Sequence, residues 1–278
     1  MSHHILVVEG NHEQLVSVSP AGEITGAAEE YAACLQAIDP ELSFSVTRPH
    51  FEHDPADAPD WERISAVVFT GAGVAWAGDA AEARPARDVM ETAFSRQLPV
   101  FGSCYGLHLG VAVLGGQLTA NPAGPEIAFA RNIHLTDAGL SHPLYSGKPV
   151  QFDALCMHRD DVLSLSSSLQ ILSGNEHCAI QAVASTTSTE QFWGVQYHPE
   201  LSFRHIAGYI RRADVAAFSD MSMLQNSLSA HEVISDLLQL DEDADIPALH
   251  QKYSLGDDIL CRRIHQTELH NWLDLIKT

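Results

Sequence analysis

Basic residues are scarce in this chain. Fifteen lysines and arginines stand against 36 aspartates and glutamates in 278 residues, a formal net charge of −21. Nucleic-acid binding depends on clustered cations that displace counterions from phosphates, so a nucleic-acid partner is not expected. An anionic membrane surface is disfavoured for the same reason. No stretch reaches the roughly eighteen apolar residues of a membrane-spanning helix. The start, Met1-Ser2-His3-His4 followed by "ILVVEG", has no basic n-region and no small-residue cleavage site, so a secretory leader is not expected either. The five cysteines are odd in number and contain no Cys-x-x-Cys pair. That argues against a disulfide framework and for a reducing, cytoplasmic setting. No Cys/His group has zinc-ligand spacing, so no metal and no cofactor are expected. Internal repeats and low-complexity tracts are absent.

What is present is a chain whose 45% hydrophobic content and length suffice for a buried core. Strand and helix patterns alternate through its first part. "HILVVEG" (4–10) reads as a first strand, "GEITGAAEEYAACLQAI" (22–38) as a helix, "LSFSVTRPH" (42–50) and "ISAVVFTGAG" (64–73) as strands, and "AAEARPARDVMETAFSRQ" (80–97) as a helix. "PVFGS" (99–103) and "YGLHLGVAVLG" (105–115) complete another strand–helix unit. Such alternation predicts an α/β fold with a mainly parallel central sheet flanked by helices. From about 117 to 198 the pattern becomes β-rich, and helical signals return at "FRHIAGYIRRA" (203–213). Residues 1–213 are expected to form the main domain and 214–278 an acidic helical C-terminal extension, with "LDEDAD" (240–245) as a linker. Leu269, Trp272, Leu273 and Ile276 form an apolar stripe, expected to pack on the main domain. An oligomer or partner surface is the alternative.

Gly102-Ser103-Cys104-Tyr105-Gly106 places a cysteine at a strand-to-helix corner with glycines at −2 and +2. Side chains at those two positions would collide with neighbouring strand and helix. The corner sets a thiol at a helix N-terminus and leaves the Tyr105 N–H free to donate to a developing oxyanion. A buried cysteine in a tight turn is the plain alternative. A thiol nucleophile needs a base and the base an orienter. "FWGVQYHPE" (192–200) is an apolar strand ended by Pro199, which presents His198 and Glu200 at the strand end.

"FGSCYGLHLG" followed about 90 residues later by "WGVQYHPE" resembles the class I glutamine amidotransferases, most of all the glutaminase domain of GMP synthetase and its stand-alone relatives. The resemblance covers roughly residues 4 to 210. It implies a flavodoxin-like sheet and cleavage of a γ-glutamyl amide through a thioester. Carried over by position, Cys104 is the nucleophile, His198 the acid/base and Glu200 its orienter. "VVFTGAGVAW" stands where the family has a second oxyanion donor, which makes Gly71 and Ala72 candidates, although the usual Gly-Gly-Pro is here Gly71-Ala72-Gly73. "LCMHRDDV" resembles the family's Ser-His-Gly-Asp-x-Val stretch, which lines the pocket for the substrate's α-groups. His158 and Asp160 match it, and Arg159 replaces a glycine. His108 lies four residues after Cys104, where the family has a substrate-contacting glutamine.

The resemblance leaves the leaving group open. About 65 residues follow its end, with no Gly-x-x-x-x-Gly-Lys-[Ser/Thr] loop anywhere. That suits a stand-alone hydrolase of an N-substituted γ-glutamyl amide slightly better than a glutaminase releasing ammonia to a separate synthase subunit. Further alternatives are a non-catalytic binding module, or a cysteine peptidase or deglycase on a related scaffold.

Overall fold

The computed structural model describes residues 3–20, 23–53, 58–212 and 229–277. The strands are β1 (His4–Val8), β2 (Ser17–Val18), β3 (Ile24–Thr25), β4 (Ser43–Thr47), β5 (Ala66–Phe69), β6 (Val100–Ser103), β7 (Gln117–Ala120), β8 (Glu126–Leu135), β9 (Gln151–His158), β10 (Asp160–Ser164), β11 (Leu169–Gly174), β12 (Ala182–Ser185) and β13 (Phe192–Val195). The helices are α1 (Ala27–Ile38), α2 (Arg84–Ser95), α3 (Tyr105–Val113), α4 (Asp137–Ser141), α5 (Phe203–Arg212), α6 (Ala230–Glu242), α7 (Pro247–Tyr253), α8 (Asp257–Leu260), α9 (Arg262–His265) and α10 (Thr267–Ile276).

A nine-stranded sheet runs in the order β4-β1-β5-β6-β13-β12-β11-β8-β9. The ladders from β4 through β13 are parallel, as the alternating pattern predicts. β1, β5, β6 and β13 are buried on both faces, which explains their continuous apolar sequences. The β-rich stretch extends the sheet antiparallel through β12, β11, β8 and β9. β8 carries a bulge between Ala130 and Ile133, with Asn132 at φ +51°. β7 and β10 form a separate two-stranded ribbon.

The helices of the C-terminal part are integral to this sheet. Leu269, Trp272 and Leu273 are buried in the same core cluster as Ile5, Tyr31 and Phe101, with Ile276 packed against it. The apolar stripe is thus spent inside the molecule. The ring centroids of Trp272 and Phe101 lie 5.8 Å apart. The boundary expected at 213/214 falls outside the described residues. The expected linker over 240–245 begins as helix, because α6 runs on to Glu242. Asp241 there accepts from the Arg204 backbone N–H and Nε, both at 2.9 Å, so that acidic stretch ties α6 to α5.

Candidate active site

The parallel strands end on one edge, and the functional side chains gather there, as is usual for open α/β sheets. β6 runs into α3 through Cys104, whose backbone is left-handed at φ +51°, ψ −103°. The flanking glycines make that corner fit. A Cβ on Gly102 would lie 2.4 Å from the Gly106 carbonyl carbon, and one on Gly106 would lie 2.5 Å from the Phe69 oxygen. The Cys104 N–H donates to the Val195 carbonyl at 2.7 Å, which ties the corner to β13. Tyr105 is the first residue of α3, so its N–H has no intrahelical acceptor. The sulfur lies 3.6 Å from the Met157 carbonyl.

β13 ends at Val195, and the following segment carries His198, whose N–H donates to Leu155 O at 2.8 Å. His198 Nδ1 meets Glu200 Oε1 at 2.7 Å. The other Glu200 oxygen accepts from Ser103 Oγ at 3.0 Å, and Ser103 Oγ lies 3.0 Å from Tyr31 Oη. Glu200 is therefore held at both oxygens, and the imidazole is locked with Nε2 left for chemistry. Burial opposes protonation of His198, but the Glu200 charge, with hydrogen bonds to Cys104 and Glu200, outweighs it and pushes the pKa up to about 10. Gly71 presses on the same ring: a Cβ there would lie 2.6 Å from His198 Cε1.

Cys104, His198 and Glu200 line one cavity of about 210 Å³ together with Gly71, Ala72 and Gly73. The rest of its wall includes Asn11, Leu15, Ala27, Met157, Leu201, Tyr209 and Arg212. Asn11 shapes the glycine loop, because its Oδ1 accepts from Gly73 N at 2.8 Å. Glu9, fully buried, accepts from Asn11 N at 3.0 Å, Asn11 Nδ2 at 2.8 Å and Ala28 N at 2.9 Å. Burial raises its pKa against those hydrogen bonds. Sequence reasoning passed over Glu9, Asn11, Tyr209 and Arg212. The signal available for the first two was "EGN" at the end of the first parallel strand, the edge where α/β sheets carry their sites.

The remaining candidates lie apart from this cavity wall. His108 is 4% exposed, and its Nε2 sits 2.8 Å from Gln196 Oε1. Burial lowers its pKa more than that hydrogen bond raises it. His158 is sealed between Glu126 Oε2 at 2.9 Å and Asp161 Oδ1 at 3.3 Å. Arg159 is exposed and forks onto Asp160 at 2.9 and 2.7 Å, with Nη1 3.4 Å from Ala75 O.

The C-terminal helices support the His198 segment from behind. Tyr197, next to His198, donates to Glu268 Oε1 at 2.7 Å, and Lys148 Nζ reaches Glu268 Oε2 at 3.1 Å. His265 Nε2 lies 3.0 Å from Leu201 O. All five cysteines are free thiols. Among the described residues no helix is long and apolar enough to cross a membrane.

A family model for glutamine amidotransferase class-I matches residues 46–212. The chain belongs to the class I glutamine amidotransferase family. As an enzyme it is an amidohydrolase. A Pseudomonas protein named γ-glutamyl-L-1-hydroxyisopropylamide hydrolase is 27% identical over 289 residues, spanning 97% of this chain and 92% of that protein. The glutamine-hydrolyzing GMP synthase of an Enterobacter species is 32% identical over 114 residues, which is 39% of this chain and 21% of that protein. Among solved structures, a glutamine amidotransferase from Thermotoga maritima superposes with a TM-score of 0.61 at 14% identity. The match covers 99% of this chain and 98% of that one, and it speaks to the fold alone.

Proposed function

We propose that this amidohydrolase cleaves the C–N bond of an N-substituted γ-glutamyl amide through a γ-glutamyl thioester on Cys104. The observation that carries the reading is the shared cavity of Cys104, His198 and Glu200, whose wall also includes the apolar residues Leu15, Ala27 and Leu201.

The thiol proton passes to His198 Nε2 before the sulfur attacks the amide carbon, and the raised pKa of the imidazole holds it there until the amine departs. The carbonyl oxygen becomes an oxyanion facing the Tyr105 N–H and the N–H groups of Gly71 and Ala72. Collapse breaks the C–N bond, and the Nε2 proton passes to the departing amine. Water then gives a proton to Nε2, and its oxygen attacks the thioester. The products are the free amine and glutamate, and the thiol is restored. Glu200 holds the imidazole through Nδ1 at each step. Arg159 and Asp160 are assigned to the rim that receives the zwitterionic glutamyl end, and His108, buried against Gln196, is assigned no contact with it. In this reading the C-terminal segment serves the catalytic unit as a brace. The similarity to a γ-glutamyl amide hydrolase over nearly the whole chain supports the assignment.

A second reading, glutamine hydrolysis that supplies ammonia to a separate synthase chain, is favoured by the GMP synthase relatives. Turnover of L-glutamine and of γ-glutamyl amides of small alkyl and hydroxyalkyl amines decides between them. We expect kcat/KM at least tenfold higher for a substituted amide. Preference for glutamine, or strong stimulation by a synthase, overturns the first reading. A chain inert to every amide, with Cys104 unlabelled by an electrophilic glutamine analogue, returns the non-catalytic module.

A further inference from the structure

Across Met157 from the nucleophile lies a second cluster that the reaction above does not use. His158 ends β9, Asp161 lies on β10, and Cys178 occupies the turn between β11 and β12. They are 5%, 9% and 1% exposed. One donor atom from each, a His158 ring nitrogen, an Asp161 carboxylate oxygen and Cys178 Sγ, lies within 4.8 Å of the other two.

We propose that His158, Asp161 and Cys178 bind one transition-metal dication of the zinc class.

The donor spacing fits such an ion. In a tetrahedral zinc site, bonds of about 2.0 Å to N and O and about 2.3 Å to S put neighbouring donors roughly 3.3 to 3.6 Å apart. Nδ1 and Oδ1 already stand 3.3 Å apart, and closing the set requires the Cys178 sulfur to move in from a separation of up to 4.8 Å. One nitrogen, one thiolate and one carboxylate select zinc or cobalt(II) over magnesium or calcium, which want oxygen alone.

The surrounding hydrogen bonds are those that orient metal ligands. His158 Nε2, the nitrogen away from the proposed metal, faces Glu126 Oε2 at 2.9 Å. This is the carboxylate–histidine pairing that raises ligand basicity. Gln181 Nε2 donates to the same oxygen at 2.8 Å. Asn121 Nδ2 donates to Asp161 Oδ2 at 2.7 Å. Asp161 Oδ1 is enclosed with no directed hydrogen bond, and His158 Nδ1 at 3.3 Å is its ion-pair partner. A metal held between the two would give that oxygen a direct bond.

The exchange balances. The dication enters, and one proton leaves from His158 Nδ1 and one from the Cys178 thiol, both to solvent. The net charge of the cluster is unchanged, and nothing is oxidised or reduced. The contact of Nδ1 with Asp160 O at 3.2 Å and that of Sγ with Ile180 O at 3.2 Å are given up. The bound ion would clamp the end of β9 to the β11–β12 turn and stiffen the Met157 wall of the active-site cavity.

The test uses the full chain, stripped with a chelator and titrated with cobalt(II) as the probe, then with zinc. One equivalent is expected, with a sulfur-to-cobalt absorption band that zinc abolishes. Cys178→Ser should lose the band, Asp161→Asn should bind at least tenfold more weakly, and Cys104→Ser should keep the band. Zinc should raise the thermal midpoint of the wild type and not that of Asp161→Asn, a readout that holds if Cys178→Ser fails to fold. No saturable binding, or a band lost in Cys104→Ser and kept in Cys178→Ser, overturns the proposal. The site does not rest on the substrate assignment, so the two fail separately.

Discussion

His198 and His158 occupy two sides of one wall, and at first sight they are the same kind of residue. Each is nearly sealed from solvent, at 4% and 5% exposure, and each is held by carboxylate. Burial works against protonation of both, yet His198 is pushed up to about 10 and His158 to about 9. Their surroundings separate them. His198 has one carboxylate on one nitrogen, and its ring borders a cavity shared with Cys104. His158 has carboxylates on both sides and does not border that cavity. A perturbed buried histidine is thus no mark of a catalytic base by itself. An unblocked second nitrogen facing a nucleophile and a cavity is the better mark.

The largest expected effect comes from removing the proposed nucleophile. Cys104→Ala should lower amide hydrolysis by about 10⁴-fold or more, with circular dichroism and thermal midpoint near wild type. Residual turnover within a factor of ten would place the chemistry elsewhere. Next in size is Glu200→Gln, which keeps the shape and removes the charge behind His198. A loss in kcat on the order of 10³- to 10⁴-fold is expected, as for other triads whose carboxylate is neutralised. On the other side, Glu126→Gln breaks a buried pair with His158, and such breaks cost about 3 to 5 kcal/mol. Its urea midpoint should fall, while kcat of the folded fraction should change by less than about threefold.

The smallest effect is a pH window. A histidine raised to about 10 in the folded protein, from roughly 6.5 when unfolded, contributes stability that is fully present below the lower value. That contribution is lost as pH rises through the upper one. Thermal midpoints of wild type and Glu200→Gln, measured from pH 6.5 to 10, should converge as pH rises. Curves that stay parallel would detach the raised pKa from Glu200.

The parts that were legible in the sequence are local ones. A cysteine between Gly102 and Gly106 needs only a strand, a corner and a helix to be understood, and the clashes at both glycines bear that out. The parallel strands were readable because burial on both faces leaves unbroken apolar runs. The Glu9–Asn11–Gly73 chain was not readable, because it joins the ends of two parallel strands that are 62 residues apart between Asn11 and Gly73. Tyr209 and Arg212 reach the cavity only through the placement of α5. The cluster of His158, Asp161 and Cys178 escaped notice for a similar reason. Its third member comes from another turn, so no ligand spacing exists along the chain. The acidic run at 240–245 looked like a linker because its pairing with Arg204 is tertiary.

In the proposed mechanism Cys104 carries the γ-glutamyl group during turnover. Acid quenching of the enzyme in the steady state with a γ-glutamyl amide, followed by peptide mass mapping, tests it most directly. A γ-glutamyl mass increment is expected on the peptide containing Cys104, absent when substrate is withheld. Steady turnover with that peptide unmodified, or the increment on another residue, would contradict it.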